Sequence, residues 1–435
     1  MSKSKGNFIS LVQACNEWCA DATRFACADA GDGILNANFD RVVADRTILS
    51  LTTELEWANA ILAGTAKESS LRASGKPAIW LDAWFDNEMT RVHAAATEAY
   101  EAMRYRDALK HAWYGMLDAR DRYRTGSAES GLDPTLIRKW ITWLAIMITP
   151  ICPHWAEEIW SGTLKQEGCV VRARWPTPSM PMDNTLSSAG AYLFRVSHML
   201  SASLLNHEKR AAKGKGGKGG AGATTQPRPN QMNVYIANKF PEWKELVLEI
   251  LSRHYDKEEG SVSDAALKEI AASEKIKAFG KGKLPAQFAA MMREEAKANG
   301  VEALALRMSF DEADILTRNL AYLHSTLASV GVKAIHIYTE AHGDAIPNAE
   351  TFSFAAPGAP SVELFHSDEM RTVAPLLASS STASPSQPKL SMMDYLEKHN
   401  VAGVLNEMVN QLGAKQPDDP FKYLSEELAK RSKTR

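Results

Sequence analysis

Before residue 211 the apolar positions of the chain recur at helical spacing, and beyond residue 230 the period shortens. "LVQACNEWCADATRFACADA" over 11–30 reads as a helix broken by Gly31 and Gly33. A further helix covers Phe39 to Leu62, and "AGTAKESSLRASGKP" is a polar loop. From Ile79 to Arg124 the pattern is helical again, with Tyr105, Ala108, Leu109, Ala112 and Met116 on one face. After the "TGSAESG" loop, Asp133 and Pro134 mark a helix start: the carboxylate can accept from first-turn N–H groups, and proline removes a donor that would go unpaired there. The run "TLIRKWITWLAIMITP" is apolar on most sides and stops at Pro150. It is too short and too flanked by charge to span a bilayer, so it predicts the central helix of a bundle.

Residues 211–230, "AAKGKGGKGGAGATTQPRPN", read as a flexible linker. Past it, "MNVYIAN", "LALRMSF", "VKAIHIYT" and "TFSFAAP" predict short strands, interleaved with helices near 242–255, 263–273, 285–298 and 311–329. That is an α+β domain. Residues 376–390 are a Ser/Ala/Pro spacer, and the remainder predicts an amphipathic helical pair.

The chain has 435 residues, 45% of them hydrophobic, enough for several domains with real cores. Its formal net charge of -2 supplies no global field for a polyanion, so any nucleic-acid surface must be local, and a DNA partner is not expected. Five cysteines without paired spacing suit a reducing compartment rather than a disulfide scaffold. With no membrane-length apolar run and no signal-peptide core after Met1, the expectation is a cytoplasmic protein without a membrane partner.

Candidate chemistry begins at residue 1. In "MSKSKGNF", Lys3 supplies a point charge, Ser2 and Ser4 supply hydroxyl donors, and Gly6 lets backbone N–H groups approach an anion. These residues alone fit a phosphate-handling loop or a solvated tail. Cys15 and Cys19 lie one helical turn apart, but no second pair accompanies them, so they read as buried small hydrophobes. Cys152, His154 and Cys169 lack ligand spacing, and no metal site is predicted. His154 reads as a helix-start residue after Pro153, with Glu157 and Glu158 favoured by the helix dipole. Arg120, Arg122 and Arg124 close one helix, while Arg138 and Lys139 open another across a short loop. Antiparallel packing would gather them into a patch for phosphates, or Asp118 and Asp121 would balance them as a solvated face. Trp140 and Trp143 read as core. Lys275 and Lys277, with Lys281 and Lys283, surround Phe279 and Gly280 as a second basic patch, and Lys213, Lys215 and Lys218 lie in the linker.

Read in order, several stretches resemble one family. "MSKSKGNF" resembles the second signature loop of class I aminoacyl-tRNA synthetases, Lys-Met-Ser-Lys-Ser followed by Gly-Asn. "CADATRFACADAGDGILNANF" is similar to the segment after this loop in archaeal and eukaryotic leucyl-tRNA synthetases. "ITPICPHWAEEIW" is similar to part of the anticodon-binding helical domain shared by the leucine, isoleucine, valine and methionine enzymes. "MNVYIANKFPEW" resembles the start of the leucine enzyme's extra C-terminal domain, with weaker similarity to about "PGAPSVELF".

The resemblance implies a leucine–tRNA ligase that uses ATP with Mg2+ as substrate and charges tRNA(Leu). The signature's first lysine, a His-x-Gly-His segment and the nucleotide-binding sheet are absent, so the chain is expected to be a C-terminal fragment, inactive alone. Lys3 matches the signature's second lysine and would stabilise departing pyrophosphate, with Ser2 and Ser4 folding the loop. Arg120, Arg122, Arg124, Arg138, Lys139, Lys275 and Lys277 become candidate tRNA contacts. Arg24, Asp29 and Asp32 would brace the loop against the tRNA or simply cap the turn at Gly31–Gly33. Alternatives are a valyl- or isoleucyl-tRNA synthetase fragment, or a catalytically inert synthetase-derived tRNA-binding or scaffold protein.

From about Ser367 the tail departs from that family. "YLEKHNVAGVLNEMVNQLGAKQPDDPFKYLSEEL" resembles the docking-and-dimerisation helical pair of the protein kinase A regulatory-subunit and Dpy-30 type. Val401, Leu405, Met408 and Leu412 form one stripe; Phe421, Leu424 and Leu428 form another after Asp419 and Pro420. It would make a homodimer, dock a protein partner, or fold back as a hairpin.

The expected architecture is mainly α. Residues 1–36 end a catalytic domain, 37–185 form the helical bundle, and 186–230 a helix and linker. Residues 231–375 form the smaller α+β domain and 376–435 the spacer and helical hairpin.

Overall fold

The computed structural model describes residues 8–33, 38–67, 69–214, 227–257, 259–278, 284–328 and 330–367. Ser2, Lys3, Ser4, most of the linker and the predicted helical tail lie outside the described residues.

The described residues are mainly helical. Helices α1 (Leu11–Asp29), α2 (Arg41–Leu62) and α3 (Trp80–Glu101) lead into α4 (Tyr105–Leu109). A π-helical segment, Lys110–Gly115, then runs into α5 (Met116–Gly126). The long run expected from Ile79 is therefore broken. Met103 takes φ +55°, and Met103 and Tyr105 are exposed, while Ala108, Leu109, Ala112 and Met116 are fully buried. The π turn shifts Trp113 into the core, where it is also fully buried.

Helix α6 (Pro134–Ile148) starts where Asp133 and Pro134 predict, with Asp133 accepting from the N–H groups of Thr135 and Leu136 at 2.9 and 3.0 Å. Trp140 and Trp143 are buried in the bundle core. Helix α7 (Pro153–Glu157) continues as a second π segment, Glu158–Thr163, and α8 (Asn184–Gly214) packs against α3.

Two buried ion pairs fix bundle geometry. Arg72 grips Asp82 with two bonds of 2.5 and 2.8 Å, and Tyr123 donates to the same carboxylate at 2.5 Å. Burial pushes the Asp82 pKa up, but hydrogen bonds from Arg72, Tyr123 and Ile79 outweigh it and hold the group below the ordinary aspartate range. Glu54 and Arg120 form the other pair.

Beyond the linker, strand β1 (Gln231–Ile236) lies between β4 (Ala334–Thr339), parallel to it, and β5 (Ser361–Phe365), antiparallel. Val234 sits opposite Ile337 and Val362. Met232, Val234 and Ile236 join the same apolar core as the bundle, through α13 (Glu312–Arg318) and α14 (Leu320–Ala328). Between β1 and β4 the chain also makes α9 (Glu242–Arg253), α10 (Asp264–Ala272), α11 (Glu274–Ala278) and α12 (Leu284–Asn299). These helices, with a tiny hairpin of β2 (Tyr255–Asp256) and β3 (Ser261–Val262), bury a separate cluster around Val247, Leu251, Ile270 and Ala289.

Several local expectations change. "LALRMSF" is irregular after a 3-10 turn at Val301–Leu304, and "TFSFAAP" begins inside α15 (Ala349–Ser353), where Asn348 caps the helix by accepting from Thr351 N–H. The run 311–329 splits at Asn319, and β5 forms over a stretch not expected to be a strand. Cys19 is exposed and Cys15 half-buried, so neither is the buried hydrophobe expected.

Helix α8 approaches α3 through Gly190: a Cβ there would lie 2.1 Å from Trp84 Nε1. Gly190→Ala should cost about 1–3 kcal/mol by forcing the helices apart, read as a lower urea midpoint at unchanged slope; wild-type stability would refute the close approach. The Asp82 shift makes a second prediction. Because its folded pKa is depressed, its contribution is present above the ordinary aspartate pKa and fades as pH falls below about 4. Asp82→Asn should lower stability at neutral pH and flatten that acid limb in pH-dependent unfolding.

Candidate functional site

The predicted cations do not converge. Arg120 is a correction: it is 4% exposed, pairs with Glu54 and Asp121, and its guanidinium lies against both the Trp57 and Trp140 rings, 4.6 and 4.9 Å from their centroids. It is a core residue, held by charge and ring faces, and cannot reach a phosphate. Arg122 turns to Asp118 at 3.0 Å and to the Phe194 ring at 4.5 Å on α8. Arg124 pairs with Asp121 at 3.6 Å. Arg138 donates to the Leu164 carbonyl at 3.0 Å, and Lys139 turns to Asp86 on α3 and lies over Trp143. The hairpin brings the ends of α5 and α6 together, yet these charges face different elements and meet carboxylates or carbonyls. On α11, Lys275 and Lys277 are exposed, Lys277 within 2.9 Å of Glu274.

A different constellation is tightly built where the segment after "MSKSKGNF" meets the bundle. Asp21 on α1 is 5% exposed. Its Oδ2 accepts the Trp155 N–H at 2.7 Å, and its Oδ1 lies 2.9 Å from His154 Nδ1. Pro153 has no N–H, so the carboxylate meets the following donors at the start of α7, where the helix is electropositive. The Cys152 thiol, its pKa raised by burial, donates to the Asp21 carbonyl at 3.7 Å. Trp155 Nε1 donates to Leu51 on α2 at 2.7 Å, tying a further helix to the same point.

Aromatic rings fill the joint. Phe25 meets Trp113 and Tyr114 edge-on, both at 5.9 Å, and Trp113 meets Trp155 at 5.1 Å. The π segment is what aims Trp113 there. At the end of α1, Asp32 accepts the Arg106 N–H of α4 at 3.1 Å, so this residue caps a helix of the bundle beyond the Gly31–Gly33 turn itself.

Within α1 the backbone breaks at Cys19, which takes φ +62° and ψ 170°. A side chain in that region costs on the order of 1–3 kcal/mol, so surrounding contacts must hold it. Before the break, Trp18 donates Nε1 to Asp45 at 2.8 Å and packs on Phe39; after it come Asp21 and the joint. Sequence reasoning missed Asp21. The available signal was the proline at 153, which announces a helix start needing an acceptor, but nothing local says that the acceptor lies in α1. Among the described residues, no group of three or more His, Cys, Asp or Glu is placed to hold a metal ion.

Comparison with known proteins bears on both regions. A family model described as "Anticodon-binding domain of tRNA ligase" matches residues 82–214, spanning α3 to α8. Another, "Leucine--tRNA ligase, RagD-binding domain", matches residues 236–309, spanning the α9–α12 helices. The chain is 36% identical over 373 residues to a cytoplasmic leucine–tRNA ligase of Arabidopsis thaliana, covering 83% of this chain and 33% of that protein. It is 33% identical over 331 residues to the Pongo abelii cytoplasmic enzyme, covering 75% of this chain and 27% of the relative. A leucine–tRNA ligase of Aeropyrum pernix is 36% identical over 182 residues, 41% of this chain and 18% of the relative. The chain thus spans about a third of the length of the first two relatives. With leucine-enzyme relatives 33–36% identical over most of its length and one of the two matching family models named for the leucine enzyme, the chain belongs to the leucine–tRNA ligase family.

Proposed function

We propose that this chain is the tRNA-docking portion of a cytoplasmic leucine–tRNA ligase, which activates leucine with ATP and Mg2+ and loads the product onto tRNA(Leu). The observation that carries the reading is the 36% identity over 83% of the chain to a leucine enzyme. The bundle of α2–α8 would dock tRNA mainly by shape and backbone contact, since its predicted cations are largely paired. Lys275 and Lys277, which face solvent, would supply phosphate contacts on α11, with Arg122 and Arg124 as partly exposed contacts on the bundle. Lys3, with Ser2 and Ser4 folding its loop, would place its ammonium against departing pyrophosphate, where charge develops as the bond to the α-phosphate breaks.

The α9–α12 helices support a second role. Their match to a RagD-binding domain, and a core of their own, favour a protein-contacting module. A further protein contact or self-association would come from the helical-pair tail. The rival reading, a catalytically inert tRNA-binding scaffold, shares the docking surface and differs only in chemistry.

In the complete synthetase, Lys3→Ala should lower ATP–pyrophosphate exchange by about a hundredfold and leave tRNA(Leu) affinity within about twofold. Unchanged exchange rules the lysine out; absence of exchange in the wild-type enzyme favours the scaffold. For docking, log Kd against log salt should be measured on the 435-residue chain. Replacing Lys275 and Lys277 with alanine should reduce the slope by about 1–2, one phosphate contact being worth about 0.7–0.9. An unaltered slope removes α11 from the tRNA surface.

A further inference from the structure

The helix that carries the signature loop is fastened to the bundle at two helix starts. Asp21 caps α7 through Trp155, and Asp32 caps α4 through Arg106. The strained break at Cys19 separates the capped half of α1, with Asp21 and Phe25, from the half with Ala14 and Trp18 that leads back to residue 8. Asp21 sits two residues past the break and is nearly enclosed, while its partner His154 is 74% exposed at the side chain, so the carboxylate and the Trp155 amide are the inner fastening.

A carboxylate in this place fixes more than a helix end. It holds α1 against α7, and the same Trp155 is hydrogen-bonded to α2. Rotation of α7 or α2 is thereby passed to α1 through short, directional bonds instead of through sliding apolar contact. Apolar packing at the joint does not substitute for this: Phe25, Trp113 and Trp155 meet edge-on and fill space, whereas the N–H to carboxylate bond sets the angle.

Resting on the proposed leucine–tRNA ligase function, we infer that Asp21 is a positioning residue: through its bond to the start of α7 it sets the orientation of the signature-loop helix relative to the bundle that docks tRNA. Adenylate formation needs the loop and the nucleotide site, whereas transfer also needs the tRNA end delivered to that site. Loss of Asp21 therefore falls on transfer. It leaves tRNA docking intact, because no predicted tRNA contact touches it.

The test compares Asp21→Ala and Asp21→Asn in the complete synthetase and, by hydrogen–deuterium exchange, in the 435-residue chain. For Asp21→Ala, aminoacylation kcat should fall about tenfold or more, while the tRNA(Leu) KM and ATP–pyrophosphate exchange stay within about threefold. Amide exchange should speed up at Trp155 and in α1, with α3 and α6 unchanged. Asp21→Asn should restore most of the kcat, because its amide oxygen can still accept the Trp155 N–H. Unchanged kcat despite faster amide exchange makes Asp21 merely structural and overturns the proposal, as does an equal loss of ATP–pyrophosphate exchange or of tRNA affinity. If the wild-type enzyme does not aminoacylate, the proposed function fails on its own; the clamp is then upheld by faster exchange confined to α1 and Trp155 and overturned by unchanged exchange.

Discussion

A helix begins with backbone N–H groups that have no partner within it, and here the starts of two short helices are met by carboxylates far away in the chain. Asp21 reaches Trp155 across 134 positions and Asp32 reaches Arg106 across 74. At Trp155 a buried donor gains an acceptor, and in both places a carboxylate gains the electropositive end of a helix. Helix α4 opens the continuous helical run that reaches Gly126 through the π segment, and α7 opens the run that reaches Thr163, so each carboxylate marks the start of a longer helical stretch. As a consequence α1 belongs mechanically to the bundle, although in sequence it follows directly on the "MSKSKGNF" stretch.

Charge inside the bundle follows a related rule. Arg120 lies against two indole rings with Glu54 beside it, and Asp82 accepts hydrogen bonds from both Arg72 and the Tyr123 hydroxyl. Removing one member of such a pair leaves a buried charge without a partner, so these residues specify the packing of α2, α3 and α5 against the loop ahead of α3. The same pairing consumes cations that a reading of charge alone assigns to RNA. Arg122 and Arg124, balanced by Asp118 and Asp121, carry little free field, which suits docking by complementary shape more than by a dense cationic strip.

What could be read from the sequence was what short-range chemistry decides. Asp133 followed by Pro134 fixes the start of α6 because cap and first turn are adjacent in the chain. Strands β1 and β4 were legible as runs of β-branched and aromatic residues. The misses have distant causes. "SVELF" is a strand because it pairs antiparallel with β1, more than a hundred residues earlier, and its own residues are only half-buried. "TFSFAAP" looks like a strand by composition, yet Asn348 caps its start and turns it into a helix. The π turn at Lys110–Gly115 leaves no period of its own in so short a run, although it places Trp113 in the joint. Asp21 was visible as part of a family-like motif, but its role depends on a proline 132 positions away.

The sheet also divides the two surfaces that the proposed function assigns to protein contact and to tRNA docking. Parallel strands need a long crossover, and the crossover between β1 and β4 houses α9–α12 with a core separate from the bundle's. The inner face of β1, through Met232, Val234 and Ile236, is part of the bundle's own core. A partner seated on the inserted helices therefore loads a module whose apolar contacts are its own. Any strain it imposes must pass along the chain at the ends of β1 and through α13 and α14 before it reaches α8. Those elements pack on the sheet with buried Ile315, Leu316, Leu323 and Leu327, a close-packed contact that resists small displacements and yields only when the helices shift as units. The inserted helices thus keep an apolar core of their own, apart from the one the sheet shares with the bundle.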